Sequence, residues 1–142
     1  MIRRLSVLAI LLFSIPVAAE QFKAFGDVKV HYVVVNTLFL QPDVAARYGV
    51  VRSGDRAIVN LSVLDQDGVA LLGEVSGETI NLLSQRAPLE FATIREGDAI
   101  YYIAPIRYTD RDAVRFDLTV SVPDRAPMKL EFQQTMYVES PR

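Results

Sequence analysis

The chain has 142 residues, a formal net charge of −2 and no cysteine. This length suits a single domain that buries its own hydrophobic core. The lack of cysteine excludes disulfide bonds, a thiol nucleophile and lipid attachment at a cysteine. The mildly acidic charge gives the chain no electrostatic footprint for nucleic acid or for an anionic membrane surface.

Residues 1–19 have the layout of a secretory signal peptide. Arg3 and Arg4 give a positive start, residues 5–13 are apolar apart from one serine, and small residues precede a predicted cleavage point. The apolar run is shorter than the ~20 residues that span a bilayer as a helix, which disfavours the alternative of an uncleaved anchor. We therefore predict a cleaved leader, one domain at residues 20–142 without a membrane span, and a periplasmic location.

The first half of the remaining chain predicts two strands joined by a short helix. Residues 28–35 begin with alternating apolar and polar side chains and end in a valine run, which indicates cover on both faces of the sheet. Proline and aspartate at the start and glycine at the end predict one or two helical turns over residues 42–49. Residues 57–63 alternate again and predict a second half-buried strand.

The middle of the chain predicts turns and a hairpin. The Asp-Gln-Asp-Gly sequence at residues 65–68 turns the chain into a further strand at residues 69–72. A slip in the alternation near Gly77 predicts a bulge or a second turn. The Glu-Gly-Asp turn that follows predicts a hairpin between residues 89–94 and 99–108.

The last third of the chain shows strict alternation. Every even residue of 114–122 is apolar and every odd one is polar, and residues 128–133 repeat the pattern. The proline-flanked segment between them, residues 123–127, predicts a hairpin loop. Seven or eight short strands with one short crossover helix indicate an all-β fold, an antiparallel two-sheet β-sandwich of the immunoglobulin or fibronectin type. A small barrel is the alternative.

Signatures of catalysis are absent from the sequence. No Gly-x-Ser-x-Gly motif and no phosphate-binding glycine loop occur. His31 is the only histidine, and one histidine cannot form a zinc site by itself; its position in the alternation predicts an exposed or edge side chain. We therefore predict no catalytic, cofactor-binding or metal-ligating residue, and no cofactor.

An interaction surface is the best functional candidate in the sequence. If Tyr102 and its even-numbered neighbours point inward, Tyr101, Ile103 and Arg107 point outward, and tyrosine with arginine is typical of interfaces. The alternative is that a loop or the short helix covers these side chains. The candidate surface is completed by two polar residues from the first half of the chain, and its members are Tyr101, Ile103, Arg107, His31 and Arg52.

Several segments resemble a family of small exported bacterial proteins known as domain-of-unknown-function family 4426. They are Phe25-Gly26-Asp27-Val28-Lys29-Val30-His31-Tyr32, Asn36-Thr37-Leu38-Phe39-Leu40-Gln41-Pro42, Tyr48-Gly49-Val50-Val51-Arg52-Ser53, Asn60-Leu61-Ser62-Val63 and Arg95-Glu96-Gly97-Asp98-Ala99-Ile100-Tyr101-Tyr102. The resemblance implies an exported, periplasmic β-sandwich with no established activity, and it supplies no catalytic residue. For the polar residues of these segments we expect structural roles: a turn at Pro42, capping at Asn36 and a sheet-edge hydrogen bond at Asn60.

These observations favour a non-catalytic binding or protein-interaction module with a protein or small-molecule partner in the cell envelope. One alternative is a hydrolase-type enzyme with a site around His31, which would need carboxylates brought close in space. Another is a structural envelope protein that self-associates through an exposed sheet edge.

Overall fold

The computed structural model describes residues 21–141, so the leader predicted at residues 1–19 lies outside the described part. The nine strands there are β1 Gln21–Phe25, β2 Val28–Asn36, β3 Arg56–Leu64, β4 Glu74–Ile80, β5 Arg86–Pro88, β6 Ala92–Glu96, β7 Ala99–Arg107, β8 Asp112–Ser121 and β9 Met128–Met136. A 3-10 turn at Thr37–Phe39 and helix α1 at Pro42–Arg47 connect β2 to β3.

The strands form two antiparallel sheets. The five-stranded sheet has the order β1-β2-β3-β7-β6, and the four-stranded sheet has the order β5-β4-β8-β9. The predicted two-sheet sandwich is confirmed in preference to a closed barrel. The strand count differs because β1, with five residues, and β5, with three, are almost wholly exposed and too short for the sustained alternation that marks a half-buried strand.

The core lies between the two sheets and is made by alternate residues of the inner strands. Leu61 and Tyr102 from the larger sheet are at most 1% exposed, as are Phe116 and Leu118 from the smaller sheet. Burying each such side chain stabilises the fold by about 1.5–3 kcal/mol. Phe132 joins the layers, because its ring stacks on Phe116 and also on Tyr32 of the opposite sheet.

The slip in alternation near Gly77 has a different cause from the predicted bulge or turn. Gly77 lies inside β4, opposite Leu118 of β8, with φ of 152°. A Cβ atom at this position would overlap the carbonyl oxygen of Asp117, so glycine permits a close approach of β4 to β8. The strand predicted just before β4, at residues 69–72, is reduced to one bridge between Leu64 and Ala70.

The short helix begins at Pro42, as predicted, and ends at Arg47, two residues before the predicted limit. Pro42 occupies a first-turn position, where the missing N–H costs nothing. Asp43 lies in the first turn and Arg47 in the last, so both charges oppose the helix dipole favourably. Gly49, with φ of 66°, takes the left-handed conformation after the helix.

A hydrogen-bond cluster around Tyr108 ties the two ends of the β2–β3 connection together. Asn36 Nδ2 donates to Tyr108 Oη at 2.5 Å and to the Gly54 carbonyl at 2.8 Å. Asn36 Oδ1 accepts from the Leu38 amide at 2.9 Å, which confirms the predicted capping role. The Tyr108 hydroxyl also lies 2.9 Å from the Tyr137 carbonyl, a second acceptor beside that of Gly54.

We expect Leu118→Asp to prevent folding, because an unpaired carboxylate in the core costs several kcal/mol. Thr119→Asp is the matched control. Thr119 is only half-buried and lies opposite Lys129, so this change should alter the free energy of unfolding by no more than about 0.5 kcal/mol. Circular dichroism with urea titration measures both variants, and equal stability of the two would contradict the strand assignment.

Burial raises the pKa of Tyr108 above its usual 10.0, although the hydrogen bond from Asn36 opposes this shift. The folded state therefore favours the neutral phenol. The resulting stability is complete below about pH 10 and is lost as pH rises through the folded pKa. We expect the free energy of unfolding to fall more steeply above pH 10 for the wild type than for Tyr108→Phe.

Tyr137→Phe is the control for that experiment, because Tyr137 is 58% exposed. Its pH profile should follow the wild-type profile. At neutral pH, Tyr108→Phe should be less stable than wild type by about 1–3 kcal/mol, since it leaves buried polar groups without their partner. Parallel profiles of wild type and Tyr108→Phe above pH 10 would contradict the assigned pKa direction.

Candidate functional site

The outer face of the five-stranded sheet carries the strongest candidate site. Because side chains alternate along β3, Val59 and Leu61 point into the core and Asn60 points to the other side. The strand pairing places Asn60 between Val33 of β2 and Ile103 of β7. The Asn60 amide lies on the central strand, between two apolar side chains of the neighbouring strands.

The β2–β3 connection covers this face and leaves a pocket of about 340 Å³, here called the Asn60 pocket. The connection and the sheet both contribute apolar walls, and the apolar lining residues are Leu40, Val44, Tyr48, Val50, Ile58, Ile94, Tyr101 and Ile103. Concave sites with apolar walls and a few polar groups are typical of small-ligand binding.

Two opposite charges also line the Asn60 pocket. The Arg47 guanidinium at the end of α1 lies 3.9 Å from the carboxylate of Glu96 at the end of β6. Their side chains are 61% and 48% exposed, so this pair is solvated and contributes little to stability. Arg47 also lies 5.9 Å from the ring centre of Tyr48. The charged groups therefore stand where the pocket meets solvent.

Asn60 itself has an unused acceptor. Its Oδ1 atom is buried and has no hydrogen-bond partner among the residues that the structure describes. The predicted sheet-edge hydrogen bond is wrong, because β3 lies between β2 and β7 and not at an edge. An unsatisfied buried acceptor costs about 1–3 kcal/mol, and such groups are rare in folded proteins.

Tyr101 and Ile103 of the predicted interaction surface line the Asn60 pocket. Both are half-buried, and the facing wall of the pocket comes from α1 and from the loops on either side of it, as in the alternative that a loop or the short helix covers them. The other three residues lie elsewhere, and the five do not form one continuous surface.

Arg107 faces a second cleft and is engaged there. Its Nε atom donates to Asp55 Oδ2 at 3.1 Å. Hydrogen bonds from the Ser53 hydroxyl and then from Arg107 hold the pKa of Asp55 below its usual value. Arg107 therefore forms an ion pair with Asp55, which links the end of β7 to the segment before β3.

Arg52 and His31 also lie outside the Asn60 pocket. Arg52 donates to the Leu38 carbonyl at 3.1 Å and lines a third cleft with Phe39. His31 is half-buried on the outer face of β2, and its ring centre is 5.4 Å from that of Phe22 on β1. The expectation of an exposed or edge histidine is corrected, because β1 flanks β2 and provides this cover.

Within residues 21–141, no three or more His, Cys, Asp or Glu side chains form a group that could hold a metal ion. None of the helices in this part of the chain has the length and apolar character needed to cross a membrane.

The fold and the site are those of a small β-sandwich protein with a ligand-sized pocket on the outer face of one sheet. The chain belongs to the family described as "Domain of unknown function (DUF4426)", whose sequence model matches residues 22–139. This confirms the resemblance seen in the sequence. No curated protein matches the chain in sequence.

The fold is similar to that of solved structures. A DUF4426 family protein from Pseudomonas aeruginosa PAO1 is 31% identical with a TM-score of 0.79, over 87% of this chain and 99% of that chain. FetP of uropathogenic Escherichia coli strain F11, expressed in the periplasm, is 10% identical with a TM-score of 0.60, over 85% and 95%.

A copper-bound variant of the same FetP is also similar, with 10% identity and a TM-score of 0.61, over 86% of this chain and 92% of that chain. At this level of identity, the likeness to both FetP structures shows the fold alone.

Proposed function

We propose that this protein is a non-catalytic binding module of the bacterial cell envelope, and that the Asn60 pocket receives an apolar group of its ligand. The observation that carries the proposal is a pocket of about 340 Å³ whose walls are apolar apart from Asn60, Arg47 and Glu96. An apolar wall supplies affinity through burial, and a fixed polar atom supplies orientation.

The proposed location is the periplasm, reached through cleavage of the leader at residues 1–19. The positive start, short apolar run and small residues of that segment support export. β1 begins at Gln21, the second residue after the predicted cleavage at Ala19, so the processed chain retains all the strands described within residues 21–141.

Binding is favoured over hydrolysis because His31 does not line the Asn60 pocket. A general base must lie within hydrogen-bond reach of the reacting group, and the pocket walls are apolar apart from Asn60, Arg47 and Glu96. The copper of the FetP variant is a property of that protein.

Self-association through a sheet edge has less support. The long edge strand β9 carries the exposed charged residues Lys129 and Glu131, and charged side chains along an edge disfavour pairing with another chain.

We expect the fluorescent probe N-phenyl-1-naphthylamine to bind the processed wild-type protein at one site. Tyr101→Ala should weaken this binding by about tenfold, because it removes an aromatic wall of the Asn60 pocket. Arg107→Ala is the matched control on the same strand and the same face, and it should bind as wild type does. Fluorescence titration measures all three.

Equal affinity of the three proteins would place the bound probe outside the Asn60 pocket, and absence of probe binding by the wild type would remove the basis of the proposal. Circular dichroism of both variants confirms that the fold is intact.

We expect the protein recovered from the periplasm of an expressing bacterium to begin at Glu20. Intact-mass spectrometry of the periplasmic and cytoplasmic fractions measures this. Substitution of a large charged residue for the small residue before the cleavage point, Ala19→Arg, should retain the leader. A periplasmic wild-type protein that still starts at Met1 would contradict the predicted processing.

A further inference from the structure

We propose that the partner of this module is an extended segment of another protein, which pairs with the exposed edge of β6 and places apolar side chains into the Asn60 pocket and into a neighbouring pocket. This inference rests on the proposed function and names the class of partner. Its basis is that an open sheet edge and two pockets lie along one strand, with the pockets at the spacing of strand side chains.

Strand β6 is a free edge of the five-stranded sheet. It pairs with β7 on one side only, and four of its five residues are exposed. Along an edge strand, a row of N–H and C=O groups points away from the sheet and has no neighbouring strand to pair with. Residues 92–94 carry no charge, whereas the edge strand β9 is protected by exposed charges. A strand of another chain can therefore join the sheet at β6.

Two pockets on the outer face are lined by this edge strand. Ile94 pairs with the outward-facing Tyr101 and lines the Asn60 pocket together with Glu96. A second pocket of about 210 Å³, here called the Ala92 pocket, is lined by Ala92 and again by Ile94. Most of its lining residues are apolar, and the β2–β3 connection and β7 contribute walls to both pockets. Ile94 therefore stands between two adjacent spaces.

The two pockets are spaced as the side chains of a strand are. The outward residues of β6, which are Ala92, Ile94 and Glu96, follow one another at about 6.4–6.8 Å. The Ala92 pocket lies on one side of Ile94 and the Asn60 pocket on the other. A strand added beside β6 presents side chains i and i+2 on this face at the same interval. One apolar side chain can thus enter each pocket while the backbone pairs with the edge.

A second copy of β6 does not fit these pockets. Antiparallel pairing of two β6 strands around Ile94 would set Ala92 of one chain opposite Glu96 of the other. The side chains offered to the pockets would then be a methyl group, which is too small, and a carboxylate, which loses its hydration at high cost. A small apolar molecule would fill a pocket and leave the edge groups in water. A foreign peptide satisfies both, since its main chain pairs with the edge and its side chains fill the pockets.

Short fluorescein-labelled peptides of the pattern Lys-Thr-x-Thr-x-Thr-Lys test the proposal, where each x is leucine, isoleucine, valine or phenylalanine. Fluorescence anisotropy measures their binding to the processed wild-type protein, and the tightest binder is kept as the parent peptide. We expect this peptide to displace N-phenyl-1-naphthylamine from the Asn60 pocket. An isomer with the two apolar residues adjacent places them on opposite faces of its strand, and it should bind about tenfold more weakly.

Backbone pairing is tested with two N-methylated forms of the parent peptide, one methylated at the apolar residues and the other at the threonines before them. Successive amides of a strand point to opposite edges, so only one form carries its methyl groups toward β6. That form should bind about tenfold more weakly than the other, because its blocked amides leave edge carbonyls unpaired. The other form should match the parent peptide.

Ile94→Glu tests the position on the protein, because it sets a carboxylate between the two pockets. This variant should weaken binding of the parent peptide by about tenfold. Arg95→Glu is the matched control, since Arg95 is exposed on the same strand and points to the opposite face, and it should bind as wild type does. Circular dichroism reports the fold of both variants. If Ile94→Glu does not fold, the comparison of the methylated peptides in the wild type still decides.

The outcomes separate this inference from the proposed function. If the naphthylamine binds and no peptide does, the inference is overturned and the binding module remains. Equal affinities of the two methylated forms, or unchanged binding by a folded Ile94→Glu, also overturn it. A wild-type dimer in light scattering that Ile94→Glu converts to a monomer would assign the edge to a second copy and overturn it as well. If neither the peptides nor the naphthylamine binds, both the inference and the proposed function fail.

Discussion

The burial of one row of β3 is the constraint on which the rest of the molecule depends. Val59, Leu61 and Val63 are at most 1% exposed and contact the opposite sheet through the core. Because side chains alternate, this row forces Asn60 onto the outer face, and a one-residue change of register would place the amide in the core instead. Hydrophobic burial, the dominant favourable contribution to folding, therefore also fixes the position of the candidate site.

The β2–β3 connection covers that outer face and so forms the pocket. The position of the connection depends on hydrogen bonds between its first and last residues. The Thr37 hydroxyl accepts from the Ser53 amide at 2.8 Å and donates to the Ser53 carbonyl at 3.0 Å. The Asn36–Tyr108 contact lies beside this pair and reaches Gly54. Since both ends of the connection are held, α1 and the residues around it can cover the sheet without a large apolar contact of their own.

The sequence predicts the parts of this fold that are set by local patterns. Strict alternation identifies β8 and β9, and the proline and glycine signals locate α1, because these features act within a few residues. β1 and β5 escape prediction, since they have only five and three residues and are almost wholly exposed. Tyr101 and Ile103 are identified as outward-facing, but their pocket depends on a helix that packs there from elsewhere in the chain.

The roles of two residues differ from the predicted ones, because local sequence patterns do not indicate how distant segments pair. Arg107 looks like a free interface residue until Asp55, 52 positions away, is placed beside it. Asn60 looks like an edge residue because nothing in its neighbourhood reveals the strand order that places β3 between β2 and β7.

A comparison of two asparagines shows that the Asn60 acceptor is an exception within this chain. At Asn36, which is 7% exposed, the amide is fully used: Oδ1 accepts from Leu38, and Nδ2 donates to Gly54 and Tyr108. The same chain thus satisfies an amide where its role is structural. At residue 60, an apolar side chain of similar size would remove the cost of the unpaired oxygen. Asn60 thus places an unsatisfied acceptor on the central strand, in a residue that lines the pocket, and the fold carries that cost in free energy.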